Sequence, residues 1–232
     1  MNGKLYLLPT ILSPDAIDTI PNGTVSKALE LKYLIAENIR TTRRFLKRLD
    51  KSVDIDSITF FEFNKKTETN ELDSFLAPVH EGHDIGIISE AGCPGIADPG
   101  QLIIRLAHQK GIHVVPMTGP SSIFLALMAS GLNGQSFRFH GYLPIDEQKK
   151  RKYLRYLEQE ANQRKETQIF METPFRNNKM IETILRVLNP YTTLCLAVNI
   201  TGENESIQTK TINEWKIDGP DFHKQPCIYL LL

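Results

Sequence analysis

The first half of the chain alternates short apolar runs with helix-like stretches, and this alternation narrows the fold more than any other feature. Residues 4–8, 33–37, 58–63, 84–89 and 112–117 read as buried strands. Residues 26–32, 40–49, 68–81 and 101–110 read as helices between them, and Pro120 is expected to open another that Gly131 closes. Strand–loop–helix alternation is the pattern of an α/β layer fold with a mostly parallel sheet. The second half differs. Strands are expected at 137–143, 168–172, 193–200, 206–212 and 226–232, and helices at 146–165 and 176–188. The last three strands suit antiparallel pairing. The reading is therefore two domains, 1–118 and 119–232: an N-terminal α/β domain with flanking helices and a C-terminal mixed α+β domain.

Composition removes several classes. The 232 residues carry 27 Lys plus Arg against 27 Asp plus Glu, and 41% are hydrophobic. Apolar content is too high and net charge too low for a disordered chain. Zero net charge is not the basic footprint of a protein that binds nucleic acid through its overall charge. The three cysteines, Cys93, Cys195 and Cys227, are far apart and form no C-x-x-C, so neither a disulfide framework nor a cysteine zinc site is readable. The histidines of His80-Glu81-Gly82-His83 are three apart rather than the four a zincin helix needs, so no metal is expected. The first residues lack a signal-peptide core. Pro116, Gly119, Pro120 and Gly131 break the charge-free stretch 111–137 before it could span a membrane. A cytoplasmic protein without membrane contact is expected.

Two loops stand out. Residues 89–100, Ser-Glu-Ala-Gly-Cys-Pro-Gly-Ile-Ala-Asp-Pro-Gly, join a buried strand to a helix. Such a connector usually needs about 2–6 residues, and this one holds three Gly, two Pro and two carboxylates. Ligands of open α/β sheets bind beyond the carboxyl ends of the strands, where this loop lies. Residues 116–122, Pro-Met-Thr-Gly-Pro-Ser-Ser, also follow a strand; there Ser121 and Ser122 offer hydroxyls near a helix start, although plain capping would also account for them. G-x-G-x-x-G, Walker A and G-x-S-x-G sequences are all absent. Cys93, with no His near it in sequence, reads as a small lining residue.

These loops, together with Phe-Arg-Phe-His-Gly-Tyr-Leu-Pro at 137–144, resemble the tetrapyrrole (corrin/porphyrin) methylase superfamily. Within it, the nearest branch methylates the 2′-O-ribose of bacterial small-subunit ribosomal RNA. Residues 36–43, Ala-Glu-Asn-Ile-Arg-Thr-Thr-Arg, are similar to that branch's Ala-Glu-Asp-Thr-Arg-x-Thr-Arg, and 172–176, Glu-Thr-Pro-Phe-Arg, to its Glu-Ser-Pro-His-Arg. The resemblance implies a two-domain α/β methyltransferase, usually a homodimer. S-adenosylmethionine would lie folded between the domains, held largely by backbone groups. It further implies that Pro9, Thr10, Ile11 and Leu12 line the site, that Ser89, Glu90, Ala91, Gly92 and Cys93 run along the cofactor with Ser121 and Ser122, and that Met171, Glu172, Ala197 and Val198 contribute from the second domain. The chain departs from the branch in places. Its first loop reads Leu-Pro-Thr-Ile-Leu-Ser-Pro for Ala-Thr-Pro-Ile-Gly-Asn-Leu. Asn38 and Glu90 each replace Asp, and Phe175 replaces His. Residues 198–202, Val-Asn-Ile-Thr-Gly, lack the charges of Arg-Glu-Leu-Thr-Lys.

Methyl transfer from a sulfonium is an in-line displacement, so the protein's main task is alignment. A ribose hydroxyl acceptor also needs its proton taken. Glu37 and Glu62, at strand ends, are the candidate bases. Arg40 and Arg43, three apart on one helix, are the candidate phosphate contacts within the basic run 40–51, and residues 149–155 hold a second basic run. Ribosomal RNA or the small ribosomal subunit is the expected partner. The alternatives are methylation of a tetrapyrrole or other small molecule, and a catalytically silent module that binds S-adenosylmethionine.

Overall fold

Ile-Gly-Ile-Ile at 85–88 is buried along its whole length, as a central strand covered on both faces must be. The computed structural model describes residues 2–64, 67 and 71–232, and the chain divides into two compact units, Met1–Ser121 and Ser122–Leu232. The first unit is built on strands β1 (Lys4–Leu8), β2 (Tyr33–Ala36), β3 (Thr59–Glu62), β4 (Ile85–Ile88) and β5 (His113–Pro116). Their order is β3-β2-β4-β1-β5, every pair is parallel, and Leu5 lies opposite both Ile85 and Val114. Helices α1 (Asn22–Glu30), α2 (Ile39–Leu49), α3 (Leu72–Phe75), α4 (Ala77–His80) and α5 (Gln101–Gln109) supply the connections. Apolar clusters around Leu5, Ile35 and Ile85, and around Leu8, Leu34 and Ile88, fill the two sides. Each fully buried Leu or Ile contributes about 1.5–3 kcal/mol.

Three expected helices change. The helix over 26–32 begins earlier, at Asn22, because the Pro21 carbonyl accepts from the N–H groups of Thr24 and Val25 and starts the first turn. The helix over 68–81 is two short pieces, α3 and α4; its first residues, 68–70, lie outside the described residues. Pro78, within the first turn of α4, has no N–H to continue a single ladder. Pro120 does not open a helix: α6 (Ser122–Ser130) begins two residues later. The Pro120 carbonyl instead accepts from Cys93 Sγ at 3.6 Å.

The second unit has strands β6 (Phe137–Tyr142), β7 (Thr167–Met171), β8 (Thr193–Val198), β9 (Ser206–Thr211) and β10 (Cys227–Leu231), in the order β6-β7-β10-β8-β9. β6 and β7 are parallel, while β10 runs antiparallel to both β7 and β8, and β9 antiparallel to β8. The sheet is thus mixed. Helices α7 (Glu147–Arg164) and α8 (Asn177–Val187) pack on it with α9 (Ile212–Asp218). The core joins Leu154, Leu157, Phe170, Met180, Ile184 and Tyr229, with the Phe170 and Tyr229 rings stacked at 5.2 Å. α9 is an element absent from the sequence reading. Its start is a capping box in which Thr211 Oγ1 accepts from Glu214 N and Glu214 Oε2 accepts from Thr211 N. Among the described residues, no helix is long and apolar enough to cross a membrane.

Candidate active site

A parallel sheet delivers the residues after each strand to one end, so Pro9–Leu12, Glu37 and the 89–100 loop gather there by topology alone. The loops after β1 and β4 are joined by a two-bond bridge. Thr10 N donates to Gly92 O at 2.9 Å, and Gly92 N donates to Thr10 O at 3.2 Å. Around it, Thr10 Oγ1 donates to Ser89 O at 3.1 Å and Ser89 Oγ donates to Gly92 O at 2.6 Å. All three residues are buried, so these bonds satisfy groups that would otherwise be costly to bury. Gly92 has φ +69°, a region that a β-branched residue occupies only under strain, and an added Cβ would stand 3.2 Å from Leu12 Cδ2. Gly119 is needed for a different reason: a Cβ there would fall 2.3 Å from Pro9 Cβ, so only glycine lets the loops after β1 and β5 meet.

Asp98 holds the rest of the long loop. Its Oδ1 accepts from Gly95 N at 2.7 Å and from Gly100 N at 2.8 Å. Burial pushes the Asp98 carboxyl above its ordinary value, outweighing those two bonds, which pull it down. Asp98 and Gly100 line a hollow with Ala36, Glu37, Phe63 and Ser89. Glu37 is therefore half-buried at the end of the sheet, whereas Glu62, the register partner of Ala36, is exposed. Burial also raises the Cys93 thiol, so it stays protonated and lines the loop rather than acting as a thiolate.

α2 starts beside this loop. Asn38 caps it, its Oδ1 accepting from Arg40 N and Thr41 N at 3.0 and 3.3 Å, so the Asn does the capping an Asp would do. Thr41 Oγ1 donates to Glu90 Oε1 at 2.6 Å and ties α2 to the 89–100 loop. Most of the basic residues of α2 are engaged. Arg43 pairs with Asp56 at 2.9 Å, Lys47 donates to Lys51 O and Val53 O, and Arg48 donates to Pro14 O. Arg40 and Arg44, one turn apart and both exposed, form no ion pair or side-chain hydrogen bond among the described residues. Arg40 and Arg43 are the pair expected from the sequence. The structure leaves Arg40 available, engages Arg43, and adds Arg44.

In the second unit, Met171 and Ala197 face opposite sides of the same β10 residue, Ile228, and Val198 pairs with Cys227. Ser122 is the first residue of α6, and Ser121 is the last of the first unit. Glu172 is buried and its Oε1 is fully used. It accepts from Thr173 N at 2.7 Å and from Arg176 Nε and Nη2 at 2.9 and 2.5 Å. Its Oε2 has no hydrogen-bond partner and lies 4.0 Å from Nζ of Lys150, a lysine buried to 1% exposure. Glu172 thus fixes the turn after β7 and anchors α7. Nothing in its residue type announced Lys150 as a buried partner. Among the described residues, no three His, Cys, Asp or Glu side chains converge to hold a metal ion.

Residues 28–216 match the family model of the tetrapyrrole (corrin/porphyrin) methylases. The chain belongs to this family of methyltransferases. It is 31% identical over 212 residues to ribosomal RNA small subunit methyltransferase I of Escherichia coli O157:H7, covering 91% of this chain and 70% of that protein. It is also 31% identical over 202 residues to the protein of that name from Halalkalibacterium halodurans, covering 87% of this chain and 66% of the relative. The chain thus spans about two thirds of the length of these relatives. Among solved structures, the methyltransferase CobJ superposes with a TM-score of 0.64 over 99% of this chain and 93% of its own, at 15% identity, a likeness of fold.

Proposed function

We propose that this chain transfers a methyl group from S-adenosylmethionine to a ribose 2′-hydroxyl of small-subunit ribosomal RNA, acting as a cytoplasmic homodimer. The observation that carries the reading is the bridged pair of loops at Thr10 and Gly92, in a chain whose 31%-identical relatives are named as ribosomal RNA methyltransferases. The residues there fit the cofactor. Gly92 and Gly119 keep side-chain bulk out of the place where three loops meet. Glu90 and Ala91 are exposed beside them, and the lining from Pro9, Ile11, Leu12 and Cys93 is mostly apolar. S-adenosylmethionine supplies a methyl group on a positively charged sulfur that leaves as a neutral thioether.

The chain's own residues then have three tasks. The Thr10–Gly92 bridge and the Asp98 clamp fix the loops before any ligand arrives, so little ordering is required during reaction. Glu37, in the hollow at the end of the sheet, accepts the proton of the ribose hydroxyl; the exposure of Glu62 makes it the weaker candidate. Arg40 and Arg44 hold RNA phosphates beside the loop. The homodimer draws support from Phe124 and Met128, which are 61% and 77% exposed one turn apart on α6, with Phe124 in edge contact with the Phe137 ring.

The test is transfer of tritium from methyl-labelled S-adenosylmethionine. The acceptors are small ribosomal subunits from a strain lacking this gene, naked ribosomal RNA, and a tetrapyrrole extract. Label in RNA that survives alkali as a resistant dinucleotide is the expected result. Label confined to the tetrapyrrole fraction, or none from a sample that binds the cofactor, overturns the proposal.

A further inference from the structure

The second basic run, on α7, divides sharply once its partners are known. Lys150 is buried against Glu172, Arg151 pairs with Glu147 at 3.3 Å, and Arg164 pairs with Glu160 at 2.8 Å. The helix's acids are engaged as well. Glu147 also receives Thr183 and Arg186, and Glu158 accepts from Asn189 N and Thr192 Oγ1. Lys149, Lys152 and Arg155 are exposed and form no ion pair or side-chain hydrogen bond among the described residues. Helical spacing puts Lys149, Lys152, Tyr153 and Tyr156 on one face.

That face is aromatic as well as cationic. The Tyr153 ring stands 5.7 Å from Tyr156 and edge-on to His140 of β6 at 5.8 Å, with Tyr153 Oη 3.1 Å from His140 Nδ1. Gln168, buried on β7, holds the other ring nitrogen of His140 at 2.7 Å, so the row is fixed from beneath. Tyr156, at the outer end, is 39% exposed. Between Phe139 and Tyr142 the β6–β7 register slips at a bulge where Gly141 has φ +64°, and Tyr142 is turned out to 55% exposure. A bulge commonly re-aims a side chain in this way.

We infer that this face of α7, with the end of β6, is a second RNA-contact surface, on which Lys149 and Lys152 hold phosphates while Tyr156 and Tyr142 stack unpaired bases. It rests on the proposed RNA acceptor and adds to it the single-stranded character of the RNA held. Cations take the backbone and exposed rings take base faces, which is how single strands are held without sequence readout. Glu160 on the same face is already paired with Arg164.

The test measures binding of the full-length protein to small-subunit ribosomal RNA and to an unstructured 20-nucleotide RNA across a salt series, with calorimetric S-adenosylmethionine affinity as the control for folding. K149A/K152A is expected to weaken both RNAs about tenfold or more and to flatten the salt slope by about 1.4, two contacts at roughly 0.7 each. Tyr156→Ala is expected to lose about fivefold or more, with Tyr156→Phe restoring it because the ring remains. Cofactor affinity should not change in any variant. Wild-type RNA affinity and slope in K149A/K152A overturn the inference while leaving the RNA acceptor standing. A change of oligomeric state in Tyr156→Ala with unchanged RNA affinity overturns it in favour of a self-association face. A wild-type protein that binds cofactor but neither binds nor methylates RNA overturns the parent proposal itself.

Discussion

The two units stabilise their loops by different means. In the first, the loops after β1 and β4 are locked mainly by main chain, through the Thr10–Gly92 bridge and the close approach of Gly119 to Pro9, with the Asp98 side chain accepting from two glycine N–H groups. In the second, the turn after β7 is locked by buried charge, with Glu172 between Arg176 and Lys150. Main-chain locks depend on shape, so they tolerate changes at exposed side chains such as Ala91. A buried carboxylate is less forgiving, because removing it leaves a buried ammonium without a partner. The first unit can therefore vary its loop side chains while keeping the shape of its loops, whereas loss of Glu172 is expected to destabilise the second unit.

The sharpest break of this contrast is Glu172→Ala. It should destabilise the second unit by about 3–5 kcal/mol, the usual cost of stranding one partner of a buried pair. Lys150→Met should cost far less, because Glu172 keeps Thr173 N and Arg176. Trp215, the one tryptophan of the chain, is buried in the second unit with its indole N–H on Leu194 O. Its fluorescence during urea unfolding reads both variants. Equal costs for the two would mean that the Lys150 contact, not the Arg176 fork, holds the turn.

Thr10→Val probes the first unit. It keeps the volume and the main-chain bridge but removes the hydroxyl bonded to Ser89 O. A loss of about 1 kcal/mol is expected, seen as roughly fivefold faster exchange of the Gly92 amide. No change in exchange would mean the main-chain bridge alone is sufficient.

The smallest effect concerns Asp98. Its folded-state pKa is raised by burial, so the folded chain holds that proton more tightly than the unfolded chain does. Stability from this group is present below the unfolded carboxyl value and is lost as pH rises through the raised one. Asp98→Asn keeps an acceptor oxygen and removes the titration. Its stability relative to the wild type should climb as pH rises through the carboxylate range toward neutrality, measured by urea unfolding followed by circular dichroism. A difference that falls with pH would contradict the burial argument.

Much of the fold was legible because the chain is locally consistent. β1 was read at its observed bounds because apolar residues fill it and Pro9 ends it. The antiparallel β8–β9 pair is legible because only residues 199–205 separate the two strands. The misses have physical causes. Pro78 splits what looks like one amphipathic helix. Pro120 is committed to the loop it shares with Cys93, so α6 starts later. α9 was overlooked although Thr211-Ile212-Asn213-Glu214 carries a capping-box signature. At the candidate site, the glycine-rich loop was visible as a loop, but its bridge to Thr10 was not, because main-chain pairing across 82 positions leaves no local pattern. Nor could a run of basic residues reveal that Arg43 and Lys150 are engaged while Arg44 and Lys149 are available.

The proposed function requires that the main-chain lock of the first unit at Gly92 hold the cofactor. Calorimetric titration of S-adenosylmethionine into the wild type and Gly92→Val tests it most directly. Valine at φ +69° carries roughly 1–3 kcal/mol of backbone strain and places bulk against Leu12. Tight binding to the wild type and a loss of about tenfold or more in the variant are expected, with the Trp215 unfolding transition of the second unit unmoved. Wild-type affinity in Gly92→Val would place the cofactor elsewhere on the chain.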